Sequence, residues 1–347
     1  MNRGGARHPL IELTLARVRE FVREPEALFW VFAFPIVLAF ALGLAFKNRG
    51  AQVVRIGVEA GAGAEVLAQT LDAAPKVEAR VYHPADAGNR LRAGRVALVV
   101  VPGDPVVFRY DSTRQESVMA RLVVDDVLQA ASGRREVRAV KDERITEPGA
   151  RYIDFLIPGL LGMNIMGTGM WGVGFGIVKS RNQKLLKRLL ASPMKRRDYL
   201  LSHMLARLVF LTLEVASLLI FGYLVFGVPF RGSVAAVAVV VVVGALSFSG
   251  LGLLVASRAR TVEGVSGLMN LVMVPMWIGS GVFFAYSNFP EPMQPFLRAL
   301  PLTELNDALR AVIIDGSSLA HVGGLVVALG AWAVVTFGVA LRIFRWQ

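Results

Sequence analysis

Six long apolar stretches constrain the fold of this chain more than any other feature of its sequence. A helix needs about 20 apolar residues to cross the roughly 30 Å hydrocarbon core of a bilayer. Because 54% of the 347 residues are hydrophobic, we predict a polytopic α-helical membrane protein with six transmembrane helices. The predicted spans are Glu26–Phe46, Phe155–Val178, Met204–Phe226, Ser233–Ala256, Glu263–Ala285 and His321–Leu341.

Basic residues beside these stretches predict the orientation of the chain. The formal net charge is +12, and the stretch Lys179–Arg207 carries nine Lys or Arg against the single acid Asp198. Because the excess charge lies next to apolar segments, nucleic acid is not an expected partner. Basic residues also precede the first span and follow the fourth and sixth, so the positive-inside rule predicts a multi-pass protein of the cell inner (cytoplasmic) membrane with both termini cytoplasmic. The first span is too long for a signal-peptide core and predicts an uncleaved anchor.

Residues 1–25 predict a cytoplasmic helix that lies in the membrane interface before the first span, 26–46. Within Pro9–Arg23, the apolar Ile11, Leu15, Val18 and Val22 share one helical face. Proline is poorly tolerated in a helix interior, so Pro25 is expected to end this helix.

Residues 47–154 predict a small α/β extracytoplasmic domain inserted between transmembrane helices 1 and 2. Runs such as "VVRIGVE" and "RVALVVVP" have the β-branched character of strands, and "GAEVLAQTLDAA" reads as a helix between strands. His83 is the only histidine here, and Asp125 and Asp126 point in different directions on a helix, so we expect no metal site. A structural or partner-binding role is favoured over chemistry. Residues 155–347 then hold transmembrane helices 2–6.

The segment between the second and third spans is both basic and amphipathic. If residues 182–192 are helical, Leu185, Leu186, Leu189 and Leu190 form an apolar stripe, flanked by Lys184, Lys187 and Arg188. The pattern fits a cytoplasmic loop resting on lipid headgroups as well as a helix that docks into a partner. Pro193 ends it.

The ordered set of segments resembles one family, the permease subunits of type-2 ATP-binding-cassette exporters, in their long form with a large extracytoplasmic domain. The resemblance covers essentially the whole chain. Its quoted parts are "FLIPGLLGMNIMGTGMWGVGFGIV" for the second span, "LLKRLLASPMKRRDYLLSHMLAR" for the coupling-helix region, "LVVVPGDPVVFRYDSTRQESVMA" in the outer domain and "GSGVFFAYSNFPEPMQPFLRALPLTELNDALRAVIIDG" for the fifth span and outer segment. The chain departs from the family where an acidic residue and a Gly-Thr pair often precede the coupling leucines; these places hold Asn182, Lys184 and Leu185.

The resemblance implies a permease that exports an amphipathic, lipid-like, drug or glycan cargo and is energised by a separate ATPase subunit. This chain has no Gly-Lys dipeptide and so no phosphate-binding loop of the Walker type. It is therefore expected to be no enzyme and to bind no cofactor, with ATP and Mg²⁺ on the partner. A second permease copy or a related permease and membrane lipids are further expected partners, and an extracytoplasmic adaptor is a candidate. The implied ATPase-coupling residues are Lys184, Leu185, Leu186, Lys187, Arg188, Leu189 and Leu190.

Polar residues inside the spans are candidates for a pathway or gating site. Glu214 lies in the middle of the third span, where a charge costs about 2.5–3.5 kcal/mol on insertion scales, and Arg207 lies two turns earlier on the same face. A gating carboxylate and a paired residue that bridges helices both fit. Asn164, Thr168 and Asn270 are further candidates, with hydrogen bonds between helices favoured over cargo contact.

Glycines and prolines add three predictions about the helices. The glycine-rich second span is a candidate seam between two copies or a wall of the pathway, and Pro275 predicts a kink in the fifth span. Residues 286–320 resemble the family's outer re-entrant segment, with candidate residues Pro301, Thr303, Asp307 and Arg310. Thr303 is expected to cap a short helix with an apolar face of Leu305, Leu309, Val312 and Ile313, a pattern that a surface helix shares.

Three other classes compete with the exporter. A proton-coupled secondary transporter using Glu214 is the main alternative, although the spans lack a convincing two-fold repeat. A membrane enzyme is disfavoured because the sequence has no histidine cluster, nucleophile elbow or paired carboxylates. A ligand sensor would need fewer spans.

Overall fold

The computed structural model describes residues 9–47, 53–75, 77–134, 149–182, 196–259 and 261–343. The chain divides into two compact units, one from residues 1–47 and 145–347 and the other from residues 48–144. The first unit holds the long apolar helices and the second holds a small sheet.

The first unit begins with helix α1, Pro9–Val22, which is separate from the first long helix. Arg23 and Glu24 form the break, and Pro25 occupies the first turn of the next helix, as predicted for a proline that has no N–H to donate. The helical segments Pro25–Leu28 and Phe34–Lys47 are joined by a π-helical turn, Phe29–Ala33. The Phe21 ring of α1 packs 4.1 Å from the Phe210 ring.

The described residues of the second unit form a four-stranded mixed sheet with three helices, so the predicted small α/β fold is confirmed. Its strand order is β2-β1-β3-β4, with β1 parallel to β2 and β3, and β4 antiparallel to β3. Successive residues of a strand face opposite sides: Leu98 and Val100 join the core formed with α2 and α4, whereas Val99 packs with Ala87 of α3. The elements are β1 Val54–Glu59, α2 Ala64–Asp72, β2 Val77–Tyr82, α3 Pro84–Arg92, β3 Leu98–Val101, β4 Val107–Arg109 and α4 Gln115–Ala131.

Among the described residues of the first unit, six helices are long and apolar enough to cross a membrane, as predicted. Spans 1–6 are Pro25–Phe46, Tyr152–Val178, Leu205–Phe226, Val234–Arg258, Val262–Gly279 and Gly323–Ile343. The helix of span 2 continues to Asn182, and that of span 3 begins at Arg196. Span 5 ends at Gly279 rather than at the predicted Ala285, because Gly281 adopts a φ of 72°, which turns the chain out of the helix. Pro275 lies inside this helix.

Span 2 is the central helix of its unit. Within its apolar window 83% of the residues are buried, against 17–56% for the other five spans. It packs against spans 1, 4 and 5 and against the helix Pro301–Ile313. Of the two alternatives predicted for this glycine-rich span, a seam between two copies is wrong over most of its length, because the chain covers the helix with its own segments. The other alternative, a wall of the pathway, stays a prediction.

The segment between spans 5 and 6 folds back into the bundle. It comprises 3₁₀ turns at Tyr286–Asn288 and Glu291–Met293, helix α5, Gln294–Arg298, and helix α6, Pro301–Ile313. The predicted apolar face of α6 is confirmed, since its four residues are at most 1% exposed. Because α6 packs against spans 2, 4, 5 and 6, it is not a helix on the protein surface.

Candidate functional site

A buried polar cluster joins spans 2 and 3 within their apolar lengths, from Arg207 near the start of span 3 to Glu214 near its middle. Arg207 Nη2 donates to Thr168 Oγ1 at 2.5 Å, and Arg207 Nη1 lies 3.7 Å from Glu214 Oε2. Thr168 Oγ1 is 3.3 Å from Glu214 Oε1. The Glu214 side chain is fully buried, while 26% of the Arg207 side chain stays exposed. The geometry favours the interpretation of Glu214 as a paired residue that bridges two helices.

The local sequence explains why these groups meet. Arg207 and Glu214 are seven residues apart, close to two helical turns, so they share one face of span 3. A carboxylate inside a membrane span is costly unless it is paired. Thr168 Oγ1 also lies 2.8 Å from the Asn164 carbonyl oxygen. A hydroxyl has a single hydrogen, so while Thr168 accepts from Arg207 it donates either to that carbonyl or to Glu214.

The cluster extends to span 1 through Asn164. Asn164 Nδ2 donates to the Val31 carbonyl oxygen at 2.9 Å. Val31 lies in the π-helical turn, where the wider spacing changes the backbone hydrogen-bond register. We call the Val31 carbonyl, Asn164, Thr168, Arg207 and Glu214 the polar network; it links spans 1, 2 and 3.

Three of the four predicted intramembrane residues therefore come together, and one does not. Asn164, Thr168 and Glu214 belong to the polar network, whereas Asn270 lies on the exposed face of span 5. Thr168 could not be paired with Glu214 from sequence, because the two lie in different helices and 46 positions apart.

The predicted outer residues sit where α6 meets spans 2 and 5. Arg310 donates from Nε to the Phe155 carbonyl at 3.3 Å and from Nη2 to the Gly281 carbonyl, and it stacks 3.7 Å from the centre of the Phe155 ring. Asp307 contacts Arg310 Nη1 at 3.4 Å. This junction fastens α6 to the N-terminal end of span 2.

The predicted cap at the start of α6 differs from the structure. Thr303 is not the cap: Leu300 holds that position and Pro301 takes the first helical position, which its fixed φ suits. Thr303 Oγ1 instead donates to the Leu297 carbonyl of α5 at 2.5 Å.

Asn306 is a residue of α6 that sequence reasoning missed. Its side chain is fully buried, and Nδ2 donates to the Ser280 carbonyl at 2.8 Å. Its Oδ1 lies against Gly162, where any side chain would collide with it. A polar residue on the otherwise apolar face of a predicted helix was the available signal.

Arg151 and Asp154, also missed, connect the ends of spans 2 and 3. The buried Asp154 accepts from the backbone N–H groups of Gly149 and Arg151 and from the Arg151 side chain, at 2.8–3.1 Å. The hydrogen bonds between the Arg151 side chain and Asp154 raise the pKa of the Arg151 guanidinium. Arg151 in turn donates to the carbonyls of Phe226 and Gly227 at 2.9 and 3.0 Å, where the span 3 helix ends. An acidic residue in the first turn of a helix was the available signal, because acids are enriched there.

The seven predicted ATPase-coupling residues, from Lys184 to Leu190, lie outside the described residues. The structure does describe the helices on either side: the preceding helix ends at Asn182, and the following helix begins at Arg196. Among the described residues, no group of three or more His, Cys, Asp or Glu could hold a metal ion.

Comparison with known proteins gives a consistent family. Residues 25–342 match the family model described as ABC-2 family transporter protein. The linearmycin resistance permease protein LnrN of Bacillus subtilis is 27% identical over 176 residues, 51% of this chain and 46% of that protein. The probable multidrug ABC transporter permease YbhR of Escherichia coli is 25% identical over 198 residues, 57% of this chain and 54% of that protein.

A shorter match covers Nodulation protein J of Rhizobium meliloti, which is 33% identical over 106 residues, 30% of this chain and 40% of that protein. The chain thus matches about half or less of the length of these relatives. The family match, in contrast, includes spans 1–5, all but the last residue of span 6, and the α/β unit between the first two spans. This chain is therefore a multi-pass membrane permease that belongs to the ABC-2 family of transporters.

Proposed function

We propose that this chain is the membrane subunit of an ATP-driven exporter, with ATP hydrolysis on a separate subunit that binds ATP and Mg²⁺. The observation that carries the proposal is the family match over nearly the whole chain. The names of two relatives, a linearmycin resistance permease and a probable multidrug permease, favour an amphipathic or drug-like cargo moved out of the cytoplasm. Lipid-like and glycan cargoes belong to the same proposal, because the spans offer few charges to a cargo.

The ATPase is proposed to bind the segment at residues 182–192. Its leucines would enter an apolar groove, while Lys184, Lys187 and Arg188 supply charge-assisted hydrogen bonds. One chain with six spans would form half of a pathway, so a second copy or a related permease completes it. Membrane lipids surround both, and an extracytoplasmic adaptor on the α/β unit is a candidate partner.

Substitution of the leucine stripe tests this partner. Gentle extraction of the tagged chain is expected to bring an ATP-binding-cassette ATPase with it, as identified by mass spectrometry. Leu186→Asp together with Leu189→Asp should reduce the recovered ATPase by about tenfold or more, because two buried charges oppose docking. Leu122→Asp is the matched control, since Leu122 is 51% exposed on α4 of the other unit. Equal ATPase recovery from all three proteins would refute the proposed docking site.

Orientation is proposed from the basic flanks: cytoplasmic termini in the inner membrane, with the α/β unit outside. The chain has no cysteine, so a single introduced cysteine is the only thiol. In spheroplasts, an impermeant maleimide should label Val66→Cys, which replaces a residue that is 69% exposed in the α/β unit. Glu12→Cys, on an exposed position of α1, should react only after permeabilisation. The opposite labelling pattern would reverse the proposed topology.

Proton-coupled transport through Glu214 is less well supported than ATP-driven export. The carboxylate is fully buried and already has Arg207 and Thr168 as partners. Family membership also favours an ATPase as the energy source.

A further inference from the structure

We propose that Thr168, Arg207 and Glu214 are positioning residues that make spans 2 and 3 move as one body, so that motion of the ATPase-bound segment reaches the outer end of the bundle. This inference rests on the proposed function. It goes further by assigning the transmission of force to a particular cross-link between helices.

The position of the cross-link suits this role. Spans 2 and 3 belong to the two helices on either side of the segment that is proposed to bind the ATPase. The helix of span 2 ends at Asn182, and the helix of span 3 begins at Arg196. At 1.5 Å per residue, Thr168 lies about 21 Å along its helix from Asn182, and Glu214 about 27 Å along its helix from Arg196. A push on the segment between the two helices therefore reaches the cross-link through rigid helix on both sides.

Apolar packing alone would join these two helices weakly. Span 2 packs far more extensively against span 4 than against span 3. Only 28% of the apolar window of span 3 is buried, so most of that helix faces away from its own chain. Helix association inside lipid has no hydrophobic driving force and depends on van der Waals packing and interhelical hydrogen bonds. Because packing between spans 2 and 3 is sparse, their polar contacts form a larger share of what joins them. The Thr168–Arg207–Glu214 contacts therefore hold the pair in register.

The cross-link has two possible hydrogen-bond arrangements. The single Thr168 hydroxyl hydrogen can point to the Asn164 carbonyl at 2.8 Å or to Glu214 at 3.3 Å. Within the described part of the chain, the buried Arg207 Nε has no hydrogen-bond partner, which leaves a donor for a second arrangement. A link that persists in two arrangements can transmit a conformational change without breaking.

Helix α1 lies against the same part of span 3. Phe21 packs 4.1 Å from Phe210, one turn after Arg207. Asn164 holds the π-helical turn of span 1 through the Val31 carbonyl. The cross-linked pair thus contacts the N-terminal segment on the side of the bundle where the ATPase is proposed to bind.

The test uses the complete complex of the chain with its ATPase in proteoliposomes. Thr168→Val removes the hydroxyl at nearly constant shape, and Thr168→Ser restores it. Thr212→Val is the matched control, since Thr212 is in the same span as Glu214 but is exposed and donates only to the Leu208 carbonyl of its own helix. Each variant also carries Phe296→Cys, a position on α5 that is 78% exposed and reports on the outer end.

Three quantities are measured: bound ATPase, the rate of ATP hydrolysis and the ATP-driven change in maleimide labelling of Cys at position 296. Thr168→Val is expected to keep the bound ATPase and its hydrolysis rate but to reduce the labelling change about fivefold or more, the lower range of allosteric coupling. Thr168→Ser and Thr212→Val should match the parent.

The outcomes separate the inference from the proposed function. A labelling change in Thr168→Val equal to that of Thr212→Val would overturn the inference. Loss of bound ATPase or of monodisperse protein in Thr168→Val would also overturn it, because the cross-link would then be merely structural. A parent complex whose labelling does not respond to ATP would overturn it as well. A parent that carries no ATPase at all would instead overturn the proposed function itself.

Discussion

Alanine at position 252 is expected to force spans 2 and 4 apart and to destabilise the membrane unit. A Cβ atom on Gly252 would lie 2.6 Å from the Met170 carbonyl oxygen and 2.8 Å from Met170 Cα. Both are backbone atoms of the buried central helix, so they cannot rotate away. Overpacking of this kind typically costs about 1–3 kcal/mol, and we expect the upper end of that range. Thermal melting in detergent, followed by intrinsic tryptophan fluorescence, measures the loss.

Gly172→Ala is the matched control for this prediction. Gly172 lies in span 2, and within the described residues no atom outside its immediate neighbourhood comes within 4 Å of its Cβ position. Because alanine is favoured over glycine in a helix by about 1 kcal/mol, this variant should melt at or above the temperature of the parent. If Gly252→Ala melted at the same temperature as Gly172→Ala, the close backbone contact between spans 2 and 4 would be incorrect.

Asp154→Ala is expected to loosen the start of span 2 and the end of span 3 together. The carboxylate accepts four hydrogen bonds, three of them from Arg151. Arg151 in turn binds the last carbonyls of span 3, where Gly227 adopts a φ of 61° and the helix ends. Breaking a buried ion pair costs about 3–5 kcal/mol. We expect about 2–3 kcal/mol here, because the Arg151 side chain is 37% exposed and water can replace part of what it loses.

A double-mutant cycle checks this assignment. Arg151→Ala and Asp154→Ala should be clearly non-additive, because each removes the same contacts. Asp315→Ala, at an exposed position between α6 and span 6, controls for loss of an acid and should leave the melting temperature within error. Additive effects of the two substitutions would show that Arg151 and Asp154 act separately.

The sequence predicts the six spans and the α/β unit well because each depends on local pattern. Apolar length defines a span, and the β-branched runs around Val54–Glu59 and Leu98–Val101 define strands, whatever surrounds them. Helix ends were less predictable. Span 5 remains helical through Pro275, and it ends just before the backbone turn at Gly281.

Residue partners far apart in sequence could not be predicted. The glycines of span 2 indicate close approach but do not say to which helix, and the structure assigns that approach to span 4 and α6 of the same chain. Arg151 binds carbonyls 75 and 76 positions away, and Asn306 binds a carbonyl 26 positions away. The i,i+7 spacing of Arg207 and Glu214 did reveal a shared helix face, because both residues belong to one helix.

The mass of the intact complex tests the central claim most directly. The tagged parent chain, extracted gently from its own membrane, would be weighed by native mass spectrometry and its components identified after dissociation. We predict two permease chains, identical or related, with two ATP-binding-cassette ATPase subunits. A particle that contains this chain without any nucleotide-binding subunit, under conditions in which the chain stays folded, would contradict the account.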